Sequence, residues 1–316
     1  MEQFSELEQA IIRLAFDIGT KAEEGFGNRT GTFSSQSDDV QYAADEACEQ
    51  LIFKWAQRQW LTHPQLALFT EDLGFKAGDE FDESREAQYL MIDPLDGSRP
   101  WAVGLRLTTC CGVLTSGAGH RDPEFSEIEF AFVHTLSIPP VIFGWKRGFG
   151  LFKADNYAMG NWNTSSEHGL RPSTKSDLKG AFIGVEHYGV APQASATIIT
   201  PLYKAGVNEF FEFMSIGRQL LSVATGGLDA VIDVRPYLNR AMLRTKTAGM
   251  LDVAATVMIL EAVGGIVTDV EGNPLTDYQL FDRKENKTVP VSIIAAGNTL
   301  LWDVMANKVQ EALSPA

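Results

Sequence analysis

The apolar residues Tyr89, Leu90, Met91 and Ile92 run directly into Asp93-Pro94-Leu95-Asp96-Gly97-Ser98. Such a run belongs in a core, yet it ends in two acids three positions apart. Pro94 disfavours the α region for Asp93, so that residue stays extended at the strand end. Asp96-Gly97-Ser98 then turns the chain. Ser98 suits an N-cap, and Pro100 suits the first turn of a helix, where its missing N–H costs nothing. The local expectation is strand, turn and helix, with two carboxylates and the Leu95 carbonyl just ahead of free backbone N–H groups. Carboxylates plus a carbonyl are hard oxygen ligands of the kind Mg2+ takes, and a helix start suits a phosphate. A bound cation would relieve the repulsion between the acids. An Asp-Pro turn before a capped helix has the same local pattern without any chemistry, so this stretch alone leaves both readings open.

Composition narrows the classes. The chain has 316 residues, enough for one large domain or two ordinary ones, with 45% apolar and 21% charged residues. Its formal charge of -15 argues against a nucleic-acid polymer or an anionic membrane as the main partner. A small anionic substrate stays possible, because bound cations reverse the local field. Cys110 and Cys111 are neighbours that point to opposite faces of an extended segment. Together with Cys48 they read as structural thiols in a reducing compartment. The histidines lack metal-ligand spacing, which argues against zinc. The acidic, amphipathic N-terminal segment is unlike a signal peptide, and no apolar run reaches membrane-span length. A cytoplasmic protein is expected.

Along the chain, Phe4, Leu7, Ile11, Leu14, Ala15 and Ile18 form one helical stripe over residues 3–24. A second helix is expected from Ala43 to Gln59. Short extended runs follow, the last three expected to be antiparallel neighbours: residues 107–116, 128–136 and 140–147. The Ser/Asn-rich stretch after residue 156 marks a boundary near residue 158. Beyond it strands and helices alternate, which reads as α/β layering. Two more acids stand at suggestive places. Glu71 follows the apolar run Leu66-Ala67-Leu68-Phe69, and Asp252 opens an apolar helix with Ala254 and Ala255 after it. Taken singly, Asp252 is explained by the helix dipole.

The motif Ile92-Asp93-Pro94-Leu95-Asp96-Gly97-Ser98, followed by Leu251-Asp252-Val253-Ala254-Ala255 and its apolar continuation to Gly265, resembles the two signature motifs of the inositol monophosphatase family. That family lies within the lithium-sensitive, Mg2+-dependent sugar phosphatases. Residues 38–52, ending their match near Asp45, the Phe69-Thr70-Glu71-Asp72-Leu73-Gly74 segment and residues 215–233 resemble further family segments, in order, from about residue 5 to 310. The resemblance implies a layered αβαβα sandwich, with an α+β part at 1–158 carrying most ligands and an α/β part at 159–316 completing the site. It implies two or three Mg2+ ions held by Glu71, Asp93, the Leu95 carbonyl, Asp96 and Asp252. Glu71 and Ser98 would orient the attacking water, and Asp45 would bond Ser98 and help accept the proton. Gly97 and Ser98 would donate N–H groups to the phosphate. Asp96, Asp233 and Asp252 would meet substrate hydroxyls, with Arg218 and Arg240 as further substrate contacts. A homodimer acting on a small phosphorylated substrate is implied, inositol monophosphate first. Fructose 1,6-bisphosphate, 3′-phosphoadenosine 5′-phosphate and histidinol phosphate are alternatives, as is a catalytically silent phospholigand-binding homologue.

The chain departs from the family pattern in places. Ser98-Arg99-Pro100-Trp101 replaces the usual Thr-(Thr/Ser)-Asn-aromatic, Ser34 stands where many members carry lysine, and Leu251 replaces a tryptophan. A longer segment before Asp252 brings Arg235, Arg240 and Arg244. These are either solvated surface charges or grips on a second phosphate or sugar ring.

Overall fold

The computed structural model describes residues 4–34, 39–158, 161–165, 168–187, 192–238 and 248–313. Helix α1 (Glu6–Glu24) starts where Ser5 closes a reciprocal cap. Ser5 Oγ accepts from the Glu8 N–H at 3.2 Å, and Glu8 Oε2 accepts from the Ser5 N–H at 2.6 Å. The stripe Leu7, Ile11, Leu14, Ala15 and Ile18 is buried. Strands β1 (Gly31–Ser34) and β2 (Asp39–Tyr42) pair antiparallel just ahead of α2 (Ala43–Trp60).

The next strands build one sheet. They are β3 (Leu66–Thr70), β4 (Gly74–Ala77), β5 (Glu86–Asp96), then, after the short helix α3 (Ser98–Ala102), β6 (Thr109–Ala118), β7 (Ile128–His134), β8 (Val141–Lys146), β9 (Gly150–Ala158) and β10 (Asn161–Ser165). The order is β10-β9-β8-β7-β6-β5-β3-β4, antiparallel except for the β3–β5 pair. The three runs expected to be antiparallel neighbours are β6, β7 and β8.

The remaining elements are β11 (Phe182–Val185), α4 (Pro192–Lys204), β12 (Glu209–Phe211), α5 (Ile216–Ala224), β13 (Ala230–Asp233), α6 (Arg235–Leu238), α7 (Met250–Ala262), β14 (Ile266–Asp269), the small β15 (Phe281–Asp282) and β16 (Lys287–Thr288) pair, β17 (Ile293–Ala296) and α8 (Thr299–Leu313). The second sheet runs β12-β11-β13-β17-β14. β11 is parallel to β12 and β13, and β17 is antiparallel to its neighbours.

Strand alternation explains how these elements stack. On β5, Leu90 and Ile92 join α1 and α2 in one core, while Tyr89 and Met91 face a second core. On β17, Ile293 and Ala295 point into that second core, and Ile294 and Ala296 into a third beneath α4 and α8. Helices α5 and α7 fill the middle layer. α7 is buried on almost every face, as a helix between two sheets must be. The result is a layered αβαβα sandwich of mixed sheets. Cys110 and Cys111 lie in opposite cores, and all three cysteines are free and buried. Among the described residues no helix is long and apolar enough to cross a membrane.

One buried acid lies outside the cleft described below. Glu49 on α2 is buried, and its Oε2 accepts from Thr70 Oγ1 at 2.7 Å. Burial pushes its carboxyl up to about 8, against the lowering effect of the Thr70 bond. An unfolded glutamate ionises near 4.3. Folding therefore binds a proton between these values, and Glu49 costs the protein stability as pH rises from the ordinary range to about 8. Glu49→Gln keeps the Thr70 bond without the charge. Its melting temperature should pull ahead of the parent's by several degrees between pH 5 and 8, at about 2–4 °C per kcal/mol. Parallel pH profiles would show that Glu49 does not titrate in this way.

Candidate active site

The end of β5 is bent by a bulge. Asp93 pairs with Cys111, whereas Asp96 pairs with Thr109, so the β5 side holds one extra residue. A bulge is where a central strand tolerates proline, and it re-aims the side chains beside it. Asp93 Oδ1 accepts from the Leu95 N–H at 2.9 Å, which tightens the turn. Gly97 then takes φ 95, a left-handed conformation open to glycine. This corrects the expected cap: Gly97 is the flanking residue of α3, and Ser98 is its first helical residue. Asp252 likewise does not open its helix. It is the third residue of α7, with Oδ2 accepting from the Gly249 N–H at 2.8 Å.

Glu71, Asp93, Leu95, Asp96, Gly97, Ser98 and Asp252 line one cleft, together with Arg99, Met214, Ile216 and Arg235. Four carboxylates from β5, α7 and the end of β3 thus meet at the start of α3. Their mutual influence is visible in Asp93. Burial first, then the negative charges of Asp252, Asp96 and Glu71, push its carboxyl well above the ordinary range. Among the described residues no three acid, histidine or cysteine side chains are already drawn together tightly enough to hold an ion. The donor set itself fits a hard divalent cation, because it is all oxygen, strongly anionic and partly desolvated.

Asp96 ties the two sheets' contributions together. Its Oδ2 accepts from the Gly217 N–H at 2.6 Å, from Ser215 Oγ at 2.8 Å and from Thr109 Oγ1 at 3.4 Å. Ser215 is the cap of α5, and its Oγ also accepts from the Arg218 N–H at 3.2 Å. Beneath it Glu186 is buried, with Oε1 accepting from Gln219 Nε2 at 2.5 Å and the Ser215 N–H at 3.3 Å. Burial raises the Glu186 carboxyl to about 8, partly offset by Arg235. Nothing in the local sequence singles out Glu186, which reaches this place from β11.

Several expected site residues do not line this cleft. Asp45, the third residue of α2, is buried and accepts from the Tyr42 N–H at 2.9 Å, but it does not line the cleft. Asp233 is 0% exposed. Its Oδ1 accepts from Arg235 Nε at 2.9 Å and its Oδ2 from Arg235 Nη2 at 2.6 Å. Both carboxylate oxygens are thus committed to a bidentate pair, and Arg235 faces the cleft in place of Asp233. Arg218 lines a different cleft. Arg240 and Arg244 lie outside the described residues. Arg99 and Arg235 bring positive charge to the acid cleft. The signal for Arg235 is its place two residues beyond Asp233, at the end of an apolar strand run.

An inositol-1-monophosphatase of Aeropyrum pernix is 28% identical over 236 residues, 73% of either chain. A fructose-1,6-bisphosphatase/inositol-1-monophosphatase of Thermococcus kodakarensis is 24% identical over 308 residues, covering 97% of this chain and 94% of that one. The crystal structure of extragenic suppressor protein suhB from Bartonella henselae shares the fold with a TM-score of 0.67 at 17% identity, over 97% of this chain and 99% of that one. With residues 3–314 matching its family model, the chain belongs to the inositol monophosphatase family, phosphoric monoester hydrolases that are generally metal-dependent and act on small phosphorylated substrates.

Proposed function

We propose that this chain is a Mg2+-dependent phosphomonoesterase acting on a small phosphorylated polyol, with inositol monophosphate as its first substrate. The observation that carries this is the convergence of Glu71, Asp93, Leu95, Asp96 and Asp252 on one cleft at the start of α3. These residues would hold two or three divalent ions. Such ions neutralise phosphoryl oxygens, lower the pKa of water and stabilise a leaving alkoxide. The chain's own groups do the positioning. The Gly97 and Ser98 N–H groups receive the phosphate at the α3 start, Glu71 and the Ser98 hydroxyl orient the water, and Asp252 meets a substrate hydroxyl. Asp45, in the first turn of α2, would bond Ser98 and help accept the proton.

A second reading, fructose 1,6-bisphosphate as substrate, is favoured by Arg99 and Arg235 in the cleft lining. A guanidinium suits a second phosphate, and the Thermococcus relative bears both activities in its name. Lithium sensitivity and a homodimer complete the proposal on family resemblance, and a cytoplasmic location on the three free, buried thiols.

Phosphate release should be measured over inositol monophosphate, fructose 1,6-bisphosphate, 3′-phosphoadenosine 5′-phosphate and histidinol phosphate, with Mg2+ and again after exhaustive chelation. Turnover of at least one ester that vanishes on chelation is expected. Full turnover without metal would overturn the metal-assisted reading. No turnover of any ester, with phospholigand binding intact, would leave a silent homologue.

A further inference from the structure

Arg218 belongs to a cleft of about 270 Å3 that shares no lining residue with the acid cleft. α5 supplies Arg218, Leu221 and Ser222, its C-terminal cap Thr225, β8 supplies Val141 and Phe143, and the connection between β7 and β8 supplies Thr135 and Ser137. No carboxylate lines it. The Arg218 backbone is used, its N–H by Ser215 Oγ and its carbonyl by Ser222 Oγ. The guanidinium forms no hydrogen bond or ion pair with any described residue.

We propose that this cleft binds the carboxylate of a small organic acid with an apolar body. An arginine fork held partly out of water without an anion is costly, and a carboxylate matches it with two parallel N–H···O bonds. Burial alone holds the guanidinium below its ordinary pKa, with no nearby charge to offset it. The hydroxyls of the cleft lining decide between anions. Each hydroxyl has one hydrogen to donate. Ser222 Oγ donates to the Arg218 carbonyl at 2.9 Å, Thr225 Oγ1 to the Ser222 carbonyl at 3.2 Å, and Ser137 Oγ to the Pro139 carbonyl at 3.0 Å. Thr135 Oγ1 reaches both Ser137 Oγ at 2.6 Å and the Val141 carbonyl at 3.3 Å. A tetrahedral oxyanion wants donors on several sides, and these donors are already engaged. A planar carboxylate needs only the fork. Val141, Phe143 and Leu221 then offer the apolar wall against which its carbon chain packs.

The test is calorimetric titration of the full chain in EDTA at neutral pH, with hexanoate, the neutral isostere hexanamide, and sulfate. Hexanoate is expected to bind one per chain, with hexanamide and sulfate weaker by about tenfold or more. Arg218→Met should weaken hexanoate by a similar factor, and Arg218→Lys, which keeps the charge without the fork, by less. Asp93→Asn should leave hexanoate binding unchanged, since the two clefts share no residue. The melting temperature of Arg218→Met should equal or exceed the parent's, which separates loss of the site from loss of the fold. Three outcomes would each overturn the proposal: no hexanoate binding, hexanoate binding that Arg218→Met does not weaken, or hexanamide or sulfate binding as tightly as hexanoate.

Discussion

Asp93→Asn, and separately Asp252→Asn, is expected to lower phosphomonoester turnover about 10³-fold while raising the melting temperature of the metal-free protein. The two effects share one cause. Asp93 is 4% exposed and stands among the charges of Asp252, Asp96 and Glu71. Without a cation these carboxylates repel one another out of water, so removing one charge relieves the folded state. Asparagine keeps the shape, and its side-chain oxygen still accepts from the Leu95 N–H in the first variant and from the Gly249 N–H in the second. Neither turn is lost. With the proposed ions bound, the lost carboxylate weakens their charge stabilisation. That term is worth several kcal/mol, and each ~1.4 kcal/mol is tenfold in rate. Rates with and without Mg2+, measured beside melting curves in EDTA, check both halves. Turnover within a few fold of the parent would remove Asp93 or Asp252 from the proposed ligand set. Lower stability in EDTA would show that the acids are held by contacts stronger than their repulsion.

The second large effect is expected at Gly217, which touches no substrate in the proposed mechanism. A methyl group there would sit 2.7 Å from Asp96 Oδ2 and 3.0 Å from both Cys111 Sγ and Thr109 Oγ1. The first distance is too short for a real contact, and its neighbours are packed too tightly to yield. Gly217→Ala must therefore push the first turn of α5 away from β5 and strain the 2.6 Å bond from the Gly217 N–H to Asp96. Overpacking of this kind costs about 1–3 kcal/mol of stability. A displaced carboxylate costs about 10²-fold in rate for a shift near 1 Å. Gly227→Ala is the matched control, because its methyl would find nothing nearer than 3.6 Å. The control should keep both activity and melting temperature. If Gly217→Ala matches it in turnover, the Asp96–Gly217 contact does not set the geometry of the site.

How much of this was legible beforehand depends on the range of the forces involved. Pro94 and Gly97 act on the backbone within one residue of themselves, so the strand, bend and helix around Asp93 could be read from seven letters. The apolar run from Leu251 to Ala262 could be read as a buried helix, and the unbroken apolar run Tyr89 to Ile92 on β5 as a buried strand. The cap falls on Gly97 and not on Ser98, which has the right chemistry for one, because the turn needs the positive φ that Gly97 supplies.

Taken alone, the sequence determined most of the elements and the order of the acid motifs, because periodicity and turn chemistry are local and survive without a fold, and those motifs carried the resemblance to the family. The tertiary structure decided which charges meet. Asp233 and Arg235 are two residues apart, yet only their enclosure at the end of β13 makes them a buried pair, with the arginine facing the cleft. Arg218 follows Gly217 directly, yet the helical rotation of about 100° per residue sets it on another side of α5, away from the acids. Glu186 reaches Ser215 from a separate strand. The direction a side chain takes from a helix, and whether water or another chain segment covers it, are set by packing between elements far apart in sequence, which no local pattern records.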